Sequence, residues 1–190
     1  MPPKFDPETE RRILKAAARL WRTRGERGLT LRAVAREAGT STPTVYKRFR
    51  DKQALRLALA REFFAQLLEE CLSSATLEEA YRRYLRYAEE HPNEYRLLWD
   101  LWTEVFRPES PRPFRRWVLS QLASRHGGKP EDYTAVFFAL IFLTHGASML
   151  VTVPGDEEDR EVVHKYFPRI VDAILVHPEF LLETTPRATN

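Results

Sequence analysis

The chain of 190 residues is 43% hydrophobic and 30% charged, enough apolar matter for a core, too much for a disordered tail, and long enough for one large domain or two small ones. Its single cysteine, Cys71, excludes an internal disulfide framework and a multi-cysteine zinc site, and no apolar leader opens the sequence, so a reducing, cytoplasmic location is expected. The net charge of +3 hides a split: residues 1–60 carry 15 Lys and Arg against 6 Asp and Glu, and residues 61–190 carry 15 against 21, which suggests a polyanion-binding head on a body with another task.

A first helix opens at Asp6-Pro7-Glu8, where Asp6 can cap, Pro7 suits the first position, and Glu8 and Glu10 complement the helix dipole. Ile13, Leu14, Ala17, Leu20 and Trp21 fall on one face, and Gly25 and Gly28 end the helix. Thr30 caps a second helix of about two turns, with Leu31, Val34, Ala35 and Ala38 at helical spacing, and Gly39 stops it. A third helix follows, capped by Ser41 or Thr42, with Pro43 in its first turn and Val45, Tyr46 and Phe49 along it. Asp51 caps a fourth helix reaching about Leu72, and Thr76-Leu77-Glu78-Glu79 is a capping box for a fifth that ends before His91-Pro92. Helices at roughly 93–106 and 112–126 are separated by a proline-rich stretch, 107–113, and Gly127-Gly128 breaks the chain again. A strongly apolar helix spans about 131–153, and a last one covers about 156–176. The tail 183–190 is polar and expected to fray. No period-2 run appears, so the fold class is all-α, with about nine helices.

Helix, glycine, short turn and helix over residues 30–49 are the layout of a helix-turn-helix, whose second helix enters the major groove. Thr42, Thr44, Tyr46, Lys47 and Arg48 are polar or cationic and suit that helix, while Val45 and Phe49, four apart, can face the core. Arg32, Lys52 and the amides opening the second and fourth helices can grip phosphates. Two readings stay open for Tyr46, packing on the first helix or meeting DNA, and two for Arg48, groove or solvent.

The run from Leu29 to Leu55, above all Ala38-Gly39 with Thr44-Val45-Tyr46, Phe49 and Lys52-Gln53-Ala54-Leu55, resembles the TetR family of transcriptional repressors. The resemblance covers about residues 10–58, with Thr40 where the family favours valine and Pro43 where it often has glycine. It implies a homodimer bound to a palindromic double-stranded DNA operator and released by a small ligand in the C-terminal domain. It also implies that Thr30 caps the second helix and meets a phosphate, that Thr42, Thr44, Tyr46 and Lys47 lie on or beside the recognition helix, and that Lys52 meets a phosphate. The expected division is a DNA-binding domain over residues 1–50 and a regulatory and dimerisation domain over 51–190, linked by the helix at 51–72.

In the body, the helix at 131–153 is apolar almost all round, which predicts burial on every side. A membrane span is the alternative; Glu131-Asp132, the His145-Gly146 interruption and amphipathic neighbours argue against it. By the resemblance, this helix and the one at 156–176 form the dimer interface, with part of the apolar surface meeting the partner's copy. Trp99, Trp102, Thr103, Phe106, Trp117, Phe138, Phe142 and His145 are the candidate lining of a pocket for a hydrophobic effector, and Asp100 and Glu104 leave room for a cationic one. The same aromatics would also serve as ordinary core. His91, His126, His145, His164 and His177 show no metal-ligand spacing, and no nucleophile elbow, P-loop or dinucleotide fingerprint occurs, so no enzyme activity, cofactor or metal is expected. The acidic run 156–159 reads as a solvated first turn. A second reading is a helical ligand-binding protein whose basic head meets a protein or other acidic partner rather than DNA.

Overall fold

Side chains that the sequence marks as caps do cap helices. In the computed structural model, which describes residues 6–106 and 112–182, the Asp6 carboxylate accepts from the Glu8 N–H and opens α1 (Pro7–Gly28). The Thr30 hydroxyl oxygen accepts from the Ala33 N–H at 3.1 Å and opens α2 (Leu31–Glu37), and Ser41, not Thr42, accepts from the Thr44 N–H and opens α3 (Thr42–Arg48). Asp51 accepts from the Ala54 N–H at 2.8 Å ahead of α4 (Lys52–Leu72). Thr76 accepts from the Glu79 N–H before α5 (Leu77–Glu90), and the Glu79 carboxylate returns to the Ala75 N–H, one residue earlier than a standard capping box places it. Five further helices complete the described chain: α6 (Pro92–Asp100), α7 (Trp102–Val105), α8 (Pro113–His126), α9 (Thr134–Val151) and α10 (Glu157–Val176). Short 3-10 turns at Pro130–Tyr133 and Pro178–Leu181 precede α9 and follow α10, and no strand occurs among the described residues. The proline-rich residues 107–111 and the tail 183–190 lie outside the described residues.

One expectation needs correction. The helix expected at 93–106 breaks at Leu101, whose backbone leaves the helical region (φ −113°, ψ 22°). Neither proline nor glycine stands at the break. Leu101 is buried there, and the next turn stacks Trp102 on Phe106, so packing imposes the break. Gly25 and Gly28 do close α1: the regular helix breaks at Gly25, whose φ of 57° glycine tolerates, and the element ends at Gly28. Within one copy of the chain the apolar helix is covered on one side only. Along α9, Val136, Phe137, Leu140, Thr144, Ala147, Ser148 and Val151 face inward, while Phe138, Phe142, Met149 and Leu150 are exposed, Phe142 to 70%.

The described residues divide into two compact units, residues 6–66 with 91–106 and residues 67–90 with 112–182. The first holds α1, α2, α3, most of α4, α6 and α7. Its core is Ile13, Ala17, Trp21, Leu29, Val34, Val45, Phe49, Leu55 and Leu59, all buried. Each large apolar side chain removed from water there contributes about 1.5–3 kcal/mol. α6 is fastened to α1 by polar contacts: Trp21 Nε1 donates to the Asn93 carbonyl at 2.7 Å, Asn93 Nδ2 donates to the Arg22 carbonyl at 3.2 Å, and Arg22 pairs with the buried Glu94.

In the second unit α9 packs on α5, α8 and α10. Val163, Phe167, Val171 and Leu175, four residues apart, form the inward stripe of α10. Glu89 of α5 ties down α10 through His164 Nε2 at 3.0 Å and Arg160 at 3.8 Å. Residues 130–151 hold an 18-residue window with a mean hydropathy of 1.9, long and apolar enough to cross a membrane. Asp156 caps α10 by accepting from the Asp159 N–H, so the acidic run 156–159 is the capped first turn of a helix.

Candidate nucleic-acid interface

α2 and α3 are each seven residues long, too short to be stable alone, and they are held by what they bury. Val34 and Ala35 anchor α2, and Val45, fully buried, anchors α3. Gly39, at φ 60°, turns the chain between them, and the Thr40 N–H returns to the Ala35 carbonyl at 2.9 Å. With Val45 and the following Phe49 turned inward, the remaining positions of α3 point outward. Tyr46 is 55% exposed. Lys47 is exposed beside it, and Thr42 and Thr44 are half-buried at the helix start.

The fold gathers four of the eight candidate DNA contacts. Thr30, Arg32, Tyr46 and Lys52, with Leu29, Leu31 and Asp51, line one cleft of about 460 Å³. Residues from the starts of α2 and α4 thus meet the outer face of α3. The first N–H groups of α2 point toward the same side as its cap, Thr30, a polarity that suits an anion. Asp51 is the one acid in the cleft. The Ala54 N–H bonded to its carboxylate, aided by Arg50, holds its pKa below the usual carboxylate range, so its charge is spent on capping α4.

The other candidates sit differently. The Ser41 and Thr44 hydroxyls share a hydrogen bond of 2.8 Å, so the start of α3 is internally bonded. Arg48 turns away from the cleft and donates to the Asp6 carbonyl at 3.3 Å, tying α3 to the cap of α1. Sequence reasoning missed Glu26, in the last turn of α1, whose main-chain oxygen accepts from Lys52 Nζ at 3.2 Å. Only its acidity near a predicted helix end marked it in the sequence.

The effector candidates fall in both units. In the first, Trp102 stacks on Phe106 with centroids 3.6 Å apart, Trp99 lies 5.0 Å from Trp102, and Phe64 meets Phe106 edge-on. Thr103 donates to Glu104, and Asp100 pairs with Arg56. In the second, Trp117 lies near Phe114, and Phe138 and Phe142 pair on the exposed side of α9. His145, half-buried, has its pKa lowered by burial, which favours the neutral imidazole. Cys71 is buried, and its thiol is pushed up to about 12, so it stays protonated at neutral pH.

Known proteins agree with this architecture. Residues 13–59 match the family described as bacterial regulatory proteins, tetR family. The fold is similar to that of TetR from Acinetobacter baumannii AYE, with a TM-score of 0.69 at 20% identity over 94% of this chain and 99% of that one. It is also similar to a variant of that protein in complex with minocycline, with a TM-score of 0.64 at 18% identity over 95% and 100% of the two chains. A TetR-like transcriptional regulator from Rhodococcus sp. RHA1 superposes with a TM-score of 0.60 at 18% identity over 93% and 98%. At such identities these likenesses establish the fold, and no curated protein sequence matches the chain. The amino-terminal match falls on the helices that build the cleft: residues 13–59 are a DNA-binding domain of the tetR-family type, in a chain with the fold of those TetR structures.

Proposed function

We propose that the protein is a cytoplasmic, dimeric repressor that inserts α3 into the major groove at each half of a palindromic operator and leaves it when a hydrophobic effector binds the body. The observation that carries this reading is the outward face of α3, with Tyr46 and Lys47 exposed above a cleft lined by Thr30, Arg32 and Lys52. Thr30, Arg32 and Lys52 are assigned to phosphates, and Thr42, Thr44, Tyr46 and Lys47 to the groove. Arg48 acts mainly by bracing α3 against the start of α1. In functional terms residues 1–50 are the DNA-binding head and 51–190 the regulatory body.

One short helix offers few base contacts, so specific binding calls for two copies. The exposed apolar residues of α9, namely Phe138, Phe142, Met149 and Leu150, support a dimer face, together with Val162, Tyr166, Ile170 and Val176 of α10. Both sets recur at helical spacing on two helices that pack together. Gly146 of α9 has open space beyond its Cα, which allows close approach of a second helix. Phe138 and Phe142 are therefore reassigned from pocket lining to this face. The cluster of Trp99, Trp102 and Phe106 supports an aromatic or acyl effector, and the minocycline complex of a related fold supports a body that receives a small molecule. To release the operator, the effector must favour the non-binding state by about 1.4 kcal/mol for each tenfold change in population ratio.

Selection of bound duplexes from a random pool tests the reading. A palindrome is expected, with half-site centres about 34–36 Å apart or a multiple of that. An unenriched pool, with small-molecule binding intact, would move the head to an acidic protein partner instead.

A further inference from the structure

The cation assigned to the operator phosphate is already engaged. Lys52 Nζ donates to the main-chain oxygen of Glu26 and lies 3.6 Å from the Glu26 carboxylate. The same carboxylate is 3.8 Å from Arg56 Nε, and the far side of the Arg56 guanidinium is 3.6 Å from the Asp100 carboxylate. All four residues belong to the first unit. They form a row of alternating charge that runs from the last residue of α6, across α4, to the end of α1 and the mouth of the cleft. Arg56 is the least exposed of the four, at 18%. Its Nε is buried without a hydrogen bond, because Glu26 stands too far away to accept one.

We propose that Glu26 is a positioning residue for DNA binding: it holds Lys52 back from the phosphate, and Asp100 sets how firmly it does so through Arg56. The proposal rests on the reading of Lys52 as a phosphate contact. A lysine ammonium is a compact charge that a carboxylate and a phosphate compete for. While Asp100 draws on Arg56, Glu26 keeps its charge for Lys52. If Asp100 withdraws, the unbonded Nε of Arg56 gives Glu26 a closer partner, and Lys52 turns to the phosphate. The end of α6 thereby tunes the head's grip, and parting Asp100 from Arg56 tightens it.

The test is the salt dependence of duplex DNA binding by the full chain and its variants, with thermal melting to confirm that each is folded. Glu26→Gln is expected to tighten binding about 3–10-fold near 0.1 M salt and to steepen the salt slope by up to about one per head. Asp100→Asn should act in the same direction by about twofold, a share of the Glu26→Gln effect. Glu26→Gln should do nothing in a Lys52→Ala background, and Asp100→Asn nothing in a Glu26→Gln background. Glu26→Asp, which keeps the charge, should restore the wild-type slope, an outcome that a merely structural role would not produce. Equal effects of Glu26→Gln with and without Lys52 would reduce Glu26 to a distant charge and overturn the proposal. So would an Asp100→Asn effect that survives the loss of Glu26. A Lys52→Ala slope identical to wild type would instead remove Lys52 from the phosphate contacts, and the proposal would fall with that reading.

Discussion

α3 and α9 expose opposite kinds of surface. α3 buries one of its seven residues, Val45, and offers water hydroxyls, a phenol and cations. α9 buries seven of eighteen and turns two phenylalanines, a methionine and a leucine outward. The first surface is well hydrated and gains when a polyanion displaces its counterions. The second is poorly hydrated and gains when any apolar partner covers it. Binding at the head should therefore weaken with salt, whereas association of the body should hold or strengthen.

The largest expected effect comes from putting charge on the apolar face. Phe142→Asp removes a side chain whose burial contributes about 1.5–3 kcal/mol per copy and places a carboxylate where it has no partner. We expect a monomer at micromolar concentration by sedimentation and an operator affinity about 10²- to 10⁴-fold lower in gel shifts, summing the loss over two copies. A variant that stays dimeric would show that this face serves something else. Lys47→Ala is next. If Lys47 reads a base edge, discrimination at one position in each half-site should drop by about 1–3 kcal/mol, roughly 5–150-fold, with little change on random duplex. Equal weakening on every sequence would move Lys47 to the phosphates. Lys52→Ala should weaken binding to all sequences alike and flatten the salt slope by a fraction of the roughly 0.9 per head that a full phosphate contact gives, because Glu26 withholds the rest. The smallest effect is Thr30→Ala, which removes the cap of α2 and should cost about 1 kcal/mol of stability, read as a lower melting temperature, with Thr30→Ser restoring most of it. A full-sized melting shift with unchanged DNA affinity would confine Thr30 to capping.

Legibility followed the range of the interactions. Asp6, Thr30, Ser41, Asp51 and Thr76 bond to amides two or three residues away, so a cap can be read from a few neighbouring letters. Val45 and Phe49 could be assigned inward because helical spacing joins them. The break at Leu101 could not be read, since the local sequence favours helix throughout and only the packing of Leu101 opposes it. Arg48 looked like one more cation of the recognition helix until the fold placed the Asp6 carbonyl, 42 residues away along the chain, beside it. Glu26 gained its meaning from Lys52 and Arg56, which the return of α4 past the end of α1 brings within reach.

From its letters alone, the chain determined its helices, their caps, the basic head on an acidic body and the helix-turn-helix, because hydrogen bonds within a turn, side-chain spacing and summed charge need no distant partner. Tertiary structure decided which side of α9 its own chain leaves uncovered, which arginine reaches the start of α1, and which carboxylate stands beside Lys52. Burial and ion pairing depend on what the fold sets opposite a residue, and that partner can lie anywhere in the chain.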